Sequence, residues 1–181
     1  MWRRALARPA RTSLPDRGSL PEFALVDHHG RPFTRQSLRG SVWIIDFIFT
    51  RCAGQCPLMT QRMAALQQRF AAVSGVRLAS ISVDPSYDSP ERLAGYAQHY
   101  GARDGQWAFL TGSEEAVFRL SREGFHLGVG KDGSTEEPVT HSVRFVLLDR
   151  AAHIRGYYDA DDSEALRRLE QDARQLARGA R

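Results

Sequence analysis

Cys52 and Cys56 are the only cysteines in the chain, and three residues separate them. A secreted disulfide scaffold spaces more cysteines more widely. A single local pair reads instead as redox or metal chemistry. Pro57 follows directly; it disfavours helical geometry at Cys56 and suits the first position of a helix. Cys56 is therefore expected at the helix cap, with Cys52 in the loop before it. Both sulfurs would then lie near unsatisfied backbone N–H groups and the positive end of the helix dipole. That position is expected to favour thiolate, the form that attacks disulfides and binds metal, and Arg51 adds to it. The plain alternative is two small buried hydrophobes, which the neighbouring Gly54 and Pro57 weaken. A disulfide can close across this spacing if the Cα atoms approach within about 7 Å. An ion can also sit between the sulfurs. Soft thiolates favour Cu(I), and a third ligand would complete a trigonal site.

Other residues could take part. Asp46 interrupts an apolar run six residues before Cys52. A buried carboxyl there would have a raised pKa and could relay a thiol proton; a polar residue at a strand edge is the alternative. Asp84 follows a second apolar run, where α/β sites gather, and turn capping explains it equally well. Met59 and Met63 lie at helical spacing after the cysteines and are expected in the core rather than on a metal. His28, His29, His99, His126 and His153 are expected to be solvated, and His141 precedes a predicted strand.

The elements that must position these residues follow from pattern. Residues 1–20 are rich in Arg, Pro and Ser and lack any period, so a disordered arm is expected. Phe23–Val26 reads as a short strand with its turn at Asp27–Gly30. Residues 34–40 read as a helical turn. Val42–Phe49 is nearly apolar throughout, as a central strand covered on both faces should be. A helix is expected from Pro57 to about Val73, and a second central strand over Val76–Val83. Ser89-Pro90-Glu91 opens a helix by hydroxyl cap, proline and acid. Trp107–Leu110 reads as a strand, and Ser113 caps a helix carrying Val117, Leu120 and Phe125. A Gly-rich loop covers 129–138. Strands follow at Val143–Leu148 and Ile154–Tyr157, and an amphipathic helix runs from Asp162 to about Ala177. This alternation implies right-handed crossovers and a mixed sheet between helices, in one domain over 21–178. A nucleotide-binding rival lacks the glycine fingerprint.

Bulk properties set further bounds. The 181 residues suffice for one domain with a real core. The net charge is +4 and the pI about 9.5. The excess sits at the ends, in Arg3, Arg4, Arg8, Arg11 and Arg17 and in Arg167, Arg168, Arg174, Arg178 and Arg181. No aromatic-interleaved basic stripe marks a nucleic-acid face, and no nucleic-acid partner is expected. Residues 1–17 begin basic, but the apolar run of a signal peptide does not follow. Residues 42–49 are too short for a membrane span.

Phe49-Thr50-Arg51-Cys52, Cys56-Pro57, Ser82-Val83-Asp84-Pro85, Asp88-Ser89-Pro90-Glu91 and His141-Ser142 before an apolar strand stand in this order. In these motifs the chain resembles the Sco/SenC family, from about Phe23 to Tyr158. The resemblance implies a thioredoxin-like α/β fold: a central mixed sheet flanked by helices, with an N-terminal hairpin extension. It implies one copper, Cu(I) or Cu(II), per chain, with Cys52, Cys56 and His141 as ligands, since such a fold brings His141 opposite the cysteine loop. The implied role is a metallochaperone supporting the copper centre of cytochrome c oxidase. The implied partner is that enzyme's copper-site subunit or another cuproprotein or thiol protein, met as a monomer. The family norm is a periplasmic or membrane-anchored protein. Thr140 stands where members often have Asp, and Ala53-Gly54-Gln55 where they often have Pro-Asp-x. A thiol–disulfide oxidoreductase using Cys52 and Cys56, with Asp46 beneath them like the buried acid of thioredoxins, remains the second reading.

Overall fold

The computed structural model describes residues 13–52, 54–127 and 143–179. An N-terminal hairpin pairs β1 (Ala24–Asp27) with β2 (Pro32–Thr34) and leads through a one-turn α1 (Arg35–Leu38) into β3 (Val42–Ile48). Then follow α2 (Cys56–Phe70), β4 (Val76–Ser82), α3 (Pro90–His99), β5 (Trp107–Thr111) and α4 (Glu114–Arg119). The chain closes with β6 (Arg144–Leu148), β7 (Ile154–Asp159) and α5 (Ser163–Arg178). The strands form one sheet in the order β2-β1-β5-β4-β3-β6-β7. Strands β3, β4 and β5 run parallel; β1, β6 and β7 join antiparallel. This is the mixed sheet that the element order implied, with the hairpin extension that the resemblance implied.

All seven positions of β3 are buried, which explains why Asp46 is its one polar side chain: both faces are covered. Helices α2 and α5 pack on β3 and β4, α3 on β5 and α4 on β1. Met59 and Met63 are fully buried in the core, as expected. Helix α3 starts as its sequence dictates, with Ser89 Oγ accepting from Arg92 N at 3.4 Å and Pro90 in the first turn.

Three local expectations change. The helix capped by Ser113 ends at Arg119 and widens into a π-helical turn, Leu120–Gly124, closed by Phe125 N donating to Leu120 O at 2.9 Å. Gly124 permits the turn, since a Cβ there would lie 2.9 Å from Leu120 Cδ1 and 3.1 Å from Pro21 Cδ. The widened turn sets Phe125 edge-on to Phe47, with ring centroids 5.2 Å apart. Residues 13–20, expected in the arm, are tied to the sheet: Ser19 bridges to His153, Ile154 N donates to Gly18 O at 2.9 Å, and Leu20 is buried. The rest of the arm, 1–12, lies outside the described residues, as does the expected loop at 129–138. Finally, His28 is buried rather than solvated, and its Nδ1 accepts from Phe109 N at 3.2 Å. No helix among the described residues is long and apolar enough to cross a membrane.

Candidate functional site

The cysteines lie where β3 gives way to α2, at the carboxyl end of the parallel strands, where α/β sites form. Helix α2 begins one residue earlier than expected: Gln55 is the N-cap, Cys56 the first helical residue and Pro57 the second. Proline is tolerated there because the second N–H of a helix has no intrahelical partner to lose. Cys52 and Cys56 are both buried, Cys56 completely. Their side chains interact, and the Phe49 backbone also acts on the Cys56 thiol.

Burial decides the protonation of Cys56. The helix N-terminus was expected to favour thiolate, but loss of water around the sulfur outweighs it and pushes the thiol above its ordinary range. The Phe49 backbone opposes this, while Cys52 and then Asp46 reinforce it. At neutral pH Cys56 is therefore a thiol whose proton must leave before it can attack a disulfide or bind a metal.

Asp46 is fully buried within β3 and not at a strand edge. Burial raises its carboxyl pKa from 3.8 to about 7. Ser80, its partner across the β3–β4 ladder, pulls the other way without cancelling it. That hydroxyl accepts from Trp107 Nε1 at 3.0 Å, and neither Asp46 oxygen has a hydrogen bond of ordinary geometry among the described residues. Asp46 is thus a buried acid whose charge is felt at Cys56.

Two further carboxylates hold the cysteine loop. Asp88, fully buried at the foot of α3, accepts from Thr50 N at 3.0 Å, from Thr50 Oγ1 and from Ser82 Oγ at 2.6 Å. Asp84 accepts from Arg51 Nε at 2.6 Å. The two residues immediately before Cys52 are therefore pinned to the loop that follows β4. Asp84 takes its place as the partner of Arg51, and Ser86 Oγ donates to it as well at 3.2 Å. On the other flank, Thr60 Oγ1 donates to Cys56 O at 2.8 Å and lies 3.1 Å from Tyr96 Oη. Sequence reasoning missed Asp88, Thr60 and Tyr96 as supports. The motif order around Asp88 was visible, but its partner Thr50 is 38 residues away.

His141 lies outside the described residues, so the structure does not relate it to the cysteines. Among the described residues, one trio has metal-ligand spacing: His28, His29 and Asp104. His29 Nε2 lies 2.8 Å and His28 Nε2 3.8 Å from Asp104 Oδ1. The Phe109 amide donates to His28 Nδ1, so the neutral ring keeps its proton on Nε2, the nitrogen nearer Asp104. Metal-binding histidines have the reverse arrangement, donating from the far nitrogen. The trio is therefore a hydrogen-bonded latch between the β1–β2 turn and the approach to β5.

Comparison with known proteins gives a consistent result. The family model described as SCO1/SenC matches residues 13–177. The SCO1 protein homolog of Bacillus subtilis is 36% identical over 128 residues, covering 70% of this chain and 66% of that protein. A Stutzerimonas stutzeri protein named for copper binding is 30% identical over 150 residues, covering 81% of this chain and 72% of that one. Among solved structures, BsSco is described as a member of the Sco family of cytochrome c oxidase assembly proteins with a disulfide switch. It superposes with a TM-score of 0.80 at 28% identity, covering 92% of this chain and 97% of that one. The chain thus spans about two thirds of the length of the Bacillus subtilis relative.

Proposed function

The chain belongs to the SCO1/SenC family, and we propose that it is a copper metallochaperone supporting assembly of the copper centre of cytochrome c oxidase. One copper is held by Cys52, Cys56 and His141. The observation that carries this reading is the pair of buried, mutually interacting cysteine side chains at the β3–α2 junction. Two sulfur donors shielded from water suit Cu(I), and an imidazole completes three-coordination. The relative named for copper binding supports the choice of metal. Copper supplies the cargo; the chain's own residues shape its seat. Asp88 and Asp84 fix Thr50 and Arg51, so the loop does not have to be ordered when metal arrives. Burial keeps Cys56 protonated until a ligand displaces the proton.

A second reading, thiol–disulfide exchange, is favoured by Asp46. An acid with a pKa of about 7, electrostatically coupled to Cys56, is suited to accept a thiol proton near neutral pH. The disulfide switch of BsSco agrees with such a role. Copper and a disulfide need the same sulfurs, so the two activities exclude each other at any moment. Anaerobic Cu(I) titration with thiol counting on one sample tests the reading. Reduced protein should bind one equivalent and protect both thiols. Oxidised protein should bind none. Equal binding by both forms rules out the cysteines as ligands.

A further inference from the structure

Of the large apolar side chains in the described residues, only Leu58 and Tyr87 are exposed, at 42% and 37%. Single exposed hydrophobes are ordinary on a protein surface. These two, however, both adjoin the cysteine loop. Leu58 lies in the first turn of α2, two residues after Cys56. Tyr87 lies in the loop between β4 and α3, which Asp84 and Asp88 tie to Thr50 and Arg51. Its ring carries two guanidiniums, Arg92 at 4.0 Å and Arg51 at 4.8 Å from the centroid. Arg92 Nη1 also donates to Tyr87 O at 2.7 Å.

We propose that Leu58, Tyr87, Arg51 and Arg92 form a docking surface for a protein partner whose own thiol or copper-ligand site is rimmed by apolar side chains and carboxylates. The proposal rests on the reading of Cys52 and Cys56 as the working thiols and adds how a partner is chosen. Charge complementarity selects the partner. Arg51 and Arg92 are exposed, while the carboxylates behind them, Asp84 and Asp88, are buried. Glu91, in the first turn of α3, is the exposed acid nearest in sequence. On the ring itself the exposed charged groups are the two guanidiniums, whose planar donors match carboxylates. Tyrosine and arginine are also the side chains that dominate binding energy at interfaces. Stacking on Tyr87 and pairing with Asp84 hold the donors in place before contact, which reduces the ordering cost of binding.

The test compares two substrates for the reduced chain. One is 2-hydroxyethyl disulfide, small and uncharged. The other is the purified soluble copper-site domain of a cytochrome c oxidase subunit in its disulfide form. In each reaction the Cys52–Cys56 dithiol becomes a disulfide, and two electrons and two protons pass to the substrate, leaving two thiols. The parent should reduce the domain faster at low salt than at high salt. Leu58→Gln, Tyr87→Ser and Arg92→Glu should each slow that reaction about tenfold or more, since one hot-spot contact commonly contributes this much. Arg92→Glu should also flatten the salt dependence. All three should reduce 2-hydroxyethyl disulfide within about twofold of the parent. Variants that keep the parent's rate on the domain, or lose both reactions equally, overturn the docking surface. A parent inert towards both substrates overturns the dithiol reading on which it rests.

Discussion

At the scale of single residues, the site is governed by burial. Asp46 has a native pKa of about 7 against 3.8 for an ordinary aspartate. Between these values the native state holds a proton that the unfolded chain has lost. Stability therefore falls as pH rises through that window, and the deficit is complete above about pH 7. The difference corresponds to roughly 4 kcal/mol at most. Asp46→Asn removes the titration, so its stability relative to the parent should rise by up to that amount between pH 4 and pH 8, measured by urea unfolding. The same substitution should slow disulfide exchange near neutral pH and leave copper affinity nearly unchanged. An exchange rate equal to the parent's across that range makes Asp46 purely structural. The sequence revealed Asp46 because a carboxylate inside an apolar run is conspicuous. It misled about Cys56, since helix-end electrostatics can be read from chain order while the depth of a sulfur depends on packing.

At the scale of elements, the loop between β4 and α3 holds the loop between β3 and α2. Asp88 accepts three hydrogen bonds from Thr50 and Ser82 with no exposure to solvent. Asp88→Ala leaves those donors without this acceptor and should cost roughly 2 kcal/mol of stability. It should also weaken Cu(I) binding about tenfold, by releasing the residues before Cys52. Asp88→Asn retains an acceptor oxygen and should recover part of both losses. Competitive Cu(I) titration alongside thermal unfolding separates the two effects; unchanged affinity in Asp88→Ala shows that the loop holds its shape unaided. Elements were legible where a local signal dictates them: the apolar run of β3, or the Ser89-Pro90-Glu91 start of α3. The π-helical turn at Leu120–Gly124 was not. The turn packs Gly124 close to Pro21, so that a Cβ there would lie 3.1 Å from Pro21 Cδ, and a neighbour so far away in sequence leaves no local signal.

At the scale of the whole molecule, the sheet brings distant motifs to one end. Residues 50–52, 56 and 84–88 meet there because β3 and β4 run parallel and side by side. That arrangement was legible, since the alternation of strands and helices leaves few topologies. The attachment of residues 13–20 to the sheet was not, because a segment without periodicity carries no sign that Leu20 fills a core position. Enclosure of the dithiol has a consequence for binding as a whole. With the Cys56 thiol held above its ordinary range, each Cu(I) bound near neutral pH must displace at least its proton. Apparent Cu(I) affinity should therefore rise about tenfold per pH unit or more between pH 6 and 8. A pH-independent affinity, measured against a chelator of known proton dependence, contradicts that thiol as a ligand.

On the proposed reading, Cys52, Cys56 and His141 hold one copper together. The most direct measurement is a competitive titration of Cu(I) and Cu(II) into the parent and into Cys52→Ala, Cys56→Ala and His141→Ala under anaerobic conditions. One equivalent should bind to the parent, and each substitution should weaken it by at least about a hundredfold, with loss of either sulfur costing more for Cu(I) than loss of the imidazole. Parent-like affinity for both copper states in His141→Ala contradicts the account.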